Sequence, residues 1–80
     1  NEDRRKEMAK QIKKIVEDAK VAIRLVRRDA NELLKQAQKD KAISEDENKR
    51  YQDEVQKLTD DYIAKTDKTG AEKEKEIMTI

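Results

Sequence analysis

Cysteine and histidine are both absent from the 80 residues of this chain. The first absence excludes disulfides, thiolate nucleophiles and cysteine metal sites. The second removes the commonest base and metal ligand near neutral pH. Proline is also missing, glycine occurs only as Gly70, and the aromatics are limited to Tyr51 and Tyr62. With 49% charged and 34% hydrophobic residues, the balance is that of long solvent-washed helices and not of a sheet protein. No apolar run approaches the roughly 20 residues needed to cross a bilayer. The opening Asn1-Glu2-Asp3-Arg4-Arg5 has no signal-peptide pattern, so the expected setting is the cytoplasm, with no membrane partner. A chain of this length suits one small domain at most, with a core only marginally sufficient for stability.

What is present is charge, unevenly divided. The first 43 residues carry 13 Lys and Arg against 8 Asp and Glu, whereas the remaining 37 carry 7 against 11. The net charge of +1 hides this asymmetry, and the first half is the side suited to an anionic partner.

Two helical stripes organise the chain. Met8, Ile12, Ile15, Ala19, Ala22, Val26, Ala30, Leu33 and Ala37 alternate steps of three and four residues, with Val16, Ile23 and Leu34 broadening the face. At about 1.5 Å per residue the first helix is a rod on the order of 55 Å long. The pattern lapses over Lys39-Asp40-Lys41-Ala42-Ile43. Ser44-Glu45-Asp46-Glu47 then reads as a capping box, with Ser44 accepting from the third helical amide and Glu47 reaching back to the Ser44 amide. The second stripe is Tyr51, Val55, Leu58 and Tyr62, with Ile63 alongside, resuming at Ile77 and Ile80. Thr66, Thr69 and Gly70 interrupt it, and Gly70 alone costs about 1 kcal/mol relative to Ala inside a helix. The second helix is therefore expected to weaken, bend or fray near Gly70. The predicted fold is all-α: a long antiparallel hairpin with helices over about 3–40 and about 44–78. A hairpin alone leaves its apolar stripes in water, so the broadened first stripe calls for a further helix, from a segment outside the chain, a second copy, or another partner.

The segment Ala19–Arg28 contains Lys20, Arg24, Arg27 and Arg28 and no acid. On a helix Lys13, Lys20, Arg24, Arg27 and Asn31 fall along one ridge. Arginine forks donate paired hydrogen bonds to phosphates, and several such contacts release counterions, which is the chemistry of a nucleic-acid contact. The competing reading is a solvated helix face. Glu45, Asp46 and Glu47 lack the calcium-loop spacing and fit a helix start. Asp60-Asp61 and Glu72-Lys73-Glu74-Lys75-Glu76 do not converge on a shared site. No catalytic residue, metal site or cofactor is expected. Val21 and Leu25 form an apolar pair beside the ridge, either a seam for a third helix or a contact surface. Tyr51 and Tyr62 are expected as core aromatics with a polar tip, not as base-stacking platforms.

The run Val21-Ala22-Ile23-Arg24-Leu25-Val26-Arg27-Arg28-Asp29-Ala30-Asn31 closely resembles the signature of ribosome recycling factors. The resemblance continues through Lys39–Glu47, Gln56-Lys57-Leu58-Thr59-Asp60 and Ala71–Met78, in order and without gaps. It implies a three-helix bundle carrying an inserted β-rich domain, of which residues 1–80 supply the second and third helices while the first helix and the inserted domain are absent. It further implies a non-enzymatic translation factor that docks on large-subunit ribosomal RNA and, with elongation factor G, splits post-termination ribosomes. Arg24 and Arg27 would contact the RNA, with Arg28 beside them. Two departures stand out: Thr69-Gly70 replaces a pair of larger apolar residues, and Leu25 replaces a residue that is commonly polar. The alternative is a structural hairpin that self-associates into a four-helix bundle without nucleic acid.

Overall fold

The structure, a computed structural model, describes residues 1–79; Ile80, expected on the second stripe, lies outside them. Two helices, α1 (Glu2–Lys39) and α2 (Glu45–Met78), form an antiparallel hairpin with extents of 60 × 15 × 9 Å. α1 begins at Asn1, whose side-chain oxygen accepts from the Arg4 amide at 3.0 Å. Glu2 and Asp3 in the first turn complement the positive end of the helix dipole.

The helix ends in a left-handed cap. The Lys41 amide donates to the Gln38 carbonyl at 3.0 Å and the Ala42 amide to the Ala37 carbonyl at 2.8 Å, the paired bonds of a Schellman motif. Lys41 takes φ 63°, the conformation glycine usually supplies. Three residues later the Ser44 hydroxyl accepts from the Glu47 amide and the Glu47 carboxylate accepts from the Ser44 amide, both at 3.0 Å. This capping box starts α2 with three acids in its first turn.

Three residues of α2 are buried: Asn48, Thr59 and Gly70. They recur every eleven residues, about three helical turns, and so form one line along the helix. Each satisfies its burial differently. Asn48 donates to the Gln38 side chain across the turn and accepts from Gln52 at 3.1 Å. Thr59 returns its hydroxyl to the Val55 carbonyl at 2.7 Å. Gly70 backs onto Val16, with no room for a Cβ.

That contact corrects the expectation of a weak point at Gly70. α2 runs unbroken through it to Met78, because the missing side chain lets α1 approach and Val16 fills the space. Propensity favours alanine in a lone helix, but here the neighbouring helix decides.

Among the described residues no apolar side chain is fully buried. Val16, Ile23 and Leu34 of α1 lie half-buried towards α2, while Ile15, Val26 and Leu33 remain 65%, 68% and 73% exposed. Tyr51 is half-buried, but Tyr62 is exposed and not the core aromatic expected, because its side of α2 has no covering helix. Each exposed residue of this size would gain about 1.5–3 kcal/mol from leaving water. The hairpin therefore holds one open apolar side. Val21 and Leu25 do not line it; they stand exposed on another face of α1.

Candidate nucleic-acid interface

The open side is a trough between the helices. One stretch, of about 580 Å³, includes Ile15, Ala19, Tyr62, Thr66 and Gly70 in its lining. The next, of about 320 Å³, includes Val26, Ala30, Leu58 and Tyr62, so the shared Tyr62 makes the two continuous. Arg24 follows Ile15 by nine residues, which at 3.6 residues per turn is about two and a half turns. Arg24 and the apolar trough therefore occupy opposite sides of α1, whereas Arg27, on the inner edge of the ridge, also lines the second stretch of the trough. A helix laid in the trough would leave Arg24 and Arg28 uncovered.

The ridge divides into free and engaged cations. Arg24 and Arg28 are exposed, and neither donates to any other described side chain. Arg27 is half-buried and turns inward, its Nη1 donating to Gln56 Oε1 at a long 3.4 Å. The buried Arg27 Nε has no partner, nor does the buried Asn31 Oδ1 one turn on. The guanidinium is thus incompletely satisfied where it rests, a condition that favours moving to a better acceptor.

Lys20 is fully engaged. Its ammonium lies 3.0 Å from Asp67 of α2 and 3.0 Å from Glu17, and its side chain is only 14% exposed. Hydrogen bonds donated to Asp67 first and Glu17 second hold its pKa above the ordinary lysine value. Lys13, near the amino-terminal end of the ridge, shares a shallow cleft with Glu74.

An acidic edge that the sequence did not single out thus borders the ridge. Asp60, Asp67 and Glu74 recur every seven residues along α2. Asp67 meets Lys20, Glu74 lines the same cleft as Lys13, and Asp60 accepts from Gln56 at 3.0 Å, the residue that holds Arg27. The heptad spacing was visible in the sequence, but the register that sets it beside the basic ridge belongs to the helix pair. Among the described residues no helix is long and apolar enough to cross a membrane. Chemically, the arrangement offers two free guanidinium groups and a third loosely held one along a rigid rod, suited to gripping phosphates.

Comparison with known proteins identifies the wider context. Residues 1–78 match the family model described as Ribosome recycling factor. The chain is 66% identical over 79 residues to the ribosome-recycling factor of Solidesulfovibrio magneticus, covering 99% of this chain and 43% of that protein. It is 58% identical to that of Bdellovibrio bacteriovorus, covering 99% of this chain and 42% of the relative. With the factor of Symbiobacterium thermophilum the identity is 60%, over 99% and 43% of the two chains. The chain thus spans about two-fifths of the length of these curated relatives.

Proposed function

Because the chain belongs to the ribosome recycling factor family, we propose that it is the RNA-docking portion of such a translation factor. Its ridge grips phosphates of the large ribosomal subunit, and no covalent chemistry is done by its own residues. Arg24 and Arg28 make the first contacts. Arg27 and Asn31, on the inner edge of the ridge, follow when the Arg27 guanidinium leaves Gln56. The apolar trough receives the amino-terminal helix of the family bundle, which completes the rod. Recycling is then positional: the rod, pushed by elongation factor G, displaces contacts between the subunits, and nucleotide hydrolysis belongs to that partner.

The observation that carries this reading is the placement of Arg24 and Arg28 away from the trough. Cations beside the trough would be covered once the bundle closed, whereas these two line neither of its stretches and stay exposed. The test is co-sedimentation with purified bacterial large ribosomal subunits across a salt series, comparing the chain with its R24A/R27A variant. The expected result is saturable binding that weakens as salt rises, with a shallower dependence in the variant. Equal binding by both chains at matched salt refutes the assignment.

The same trough favours one other reading, a second copy of the hairpin closing a four-helix bundle. In that case R24A/R27A has no phenotype, and sedimentation velocity shows dimers that form without RNA.

A further inference from the structure

Lys20 lies on the line of the ridge, yet it is the least available of its cations. An ammonium has three donors and no acceptor. Two of those donors are directed at carboxylates, Asp67 across the helix pair and Glu17 one turn back, each at 3.0 Å. The aliphatic stem lies against the hairpin, leaving the side chain 14% exposed, while Arg24 one turn on stands free. Glu17 alone would be a weak anchor, since an exposed pair within one helix contributes little. The interhelical Asp67 fixes the direction of the side chain.

We propose that Asp67 limits the strength with which the ridge binds polyanions: it holds Lys20 inward, and so restricts how many phosphates the ridge can neutralise. This inference rests on the RNA-docking reading and adds to it a control on binding strength. The physical need is plain. Affinity from phosphate contacts is blind to sequence and grows with every cation engaged. A rod with all its cations free would cling to any polyanion. Opposing them with an acidic edge retains contacts where the arginines project furthest and repels phosphates that approach from the α2 side. The edge continues past Asp67, with Glu74 near Lys13 and Asp60 behind Gln56. Lys20–Asp67 is its only direct interhelical ion pair among the described residues.

The test uses the whole chain and D67N, a change that preserves shape and removes the charge. Two variants accompany it: D67N/K20A, and D61N, which removes the same charge from an exposed position of α2 away from the ridge. Binding to purified large ribosomal subunits and to heparin is measured across a salt series, with circular dichroism to establish equal helicity. D67N is expected to steepen the log–log salt dependence by about one phosphate contact, roughly 0.7–0.9 in slope. Its low-salt binding should strengthen several-fold on both ligands. D67N/K20A should return to the original slope, and D61N should not depart from it. In parallel, the side-chain nitrogen of Lys20 followed by NMR should titrate at lower pH in D67N than in the original chain.

An unchanged slope in D67N overturns the proposal, and so does a gain that persists in D67N/K20A or appears equally in D61N. If R24A/R27A also binds as well as the original chain, or if the original chain does not bind at all, the RNA reading fails and the proposal falls with it. If the double arginine variant is weakened while D67N is silent, only the Asp67 inference fails.

Discussion

Gly70 of α2 and Val16 of α1 occupy one packing position between them: a Cβ on the glycine would overlap the Val16 Cγ2 methyl. Substituting alanine for a helical glycine ordinarily stabilises by about 1 kcal/mol. Here the sign reverses. Val16 is β-branched and stiff at χ1, so it cannot swing aside without leaving its rotamer or pushing the helices apart. Gly70→Ala should destabilise the hairpin by about 1–3 kcal/mol, the usual range for overpacking. Urea denaturation followed by circular dichroism measures it. The paired change V16A/G70A should recover most of the loss, whereas a G70A effect untouched by V16A would place its cause elsewhere.

Lys41 carries the one left-handed backbone conformation among the described non-glycine residues. A side chain there crowds the following carbonyl at a cost of roughly 1–2 kcal/mol, part of which glycine loses again through its freer unfolded state. Lys41→Gly should therefore raise stability by up to about 1 kcal/mol. Lys41→Asn should raise it less, and Lys41→Val should lower it. Thermal midpoints of the three variants give the order directly, and a stable valine variant would rule out the left-handed turn.

The capping box makes the start of α2 sensitive to acid. Hydrogen bonds from the Ser44 amide first and the Ser44 hydroxyl second hold the Glu47 carboxyl below its ordinary range. A lowered folded-state pKa means stability that is present above the unfolded value and disappears as pH falls through the folded one. The thermal midpoint of the original chain should exceed that of E47Q near neutrality. The difference should shrink as pH drops below the ordinary glutamate range, since glutamine keeps the cap but cannot titrate. Ser44→Ala, which removes the other half of the box, should cost about 1 kcal/mol. A difference between the original chain and E47Q that stays constant with pH would remove Glu47 from the account.

Much of this molecule could be read from residue spacing alone. Alternating steps of three and four gave the length and direction of α1, and Ser44 with Glu47 marked where α2 begins, because both are properties of one continuous helix. The misreadings share a cause. Gly70 looked like a flaw since propensity describes an isolated helix, while the reason for glycine sits on Val16, 54 residues earlier. Lys41 gave no turn signal because it is not a residue that favours the conformation it adopts. Lys20 read as one more exposed cation, as its principal counter-charge, Asp67, comes from the other helix and meets it only through the pairing register. Asn48 was silent for the same reason: its partner Gln38 lies across the turn. What a single helix encodes was legible; what two helices decide together was not.

The open trough gives the last prediction. Val26 and Leu33 are 68% and 73% exposed in the hairpin, so replacing both by serine removes few contacts within it. Surface changes of this kind alter stability by about 0.5 kcal/mol or less each, and the helicity of V26S/L33S should match that of the original chain. Its capacity to take a third helix should not survive. The part of the Solidesulfovibrio magneticus relative that this chain does not span, supplied as a separate polypeptide, should raise the thermal midpoint of the original chain. Burying two such side chains is worth about 3 kcal/mol or more, so the variant should bind that polypeptide at least roughly a hundredfold more weakly. Sedimentation velocity on the chain alone separates the occupants. A monomer that is stabilised by the added polypeptide identifies the trough as the seat of the family's remaining helix. A dimer that V26S/L33S abolishes identifies a second hairpin as the occupant, and equal capture by the original and the variant would show that the trough is not the docking side.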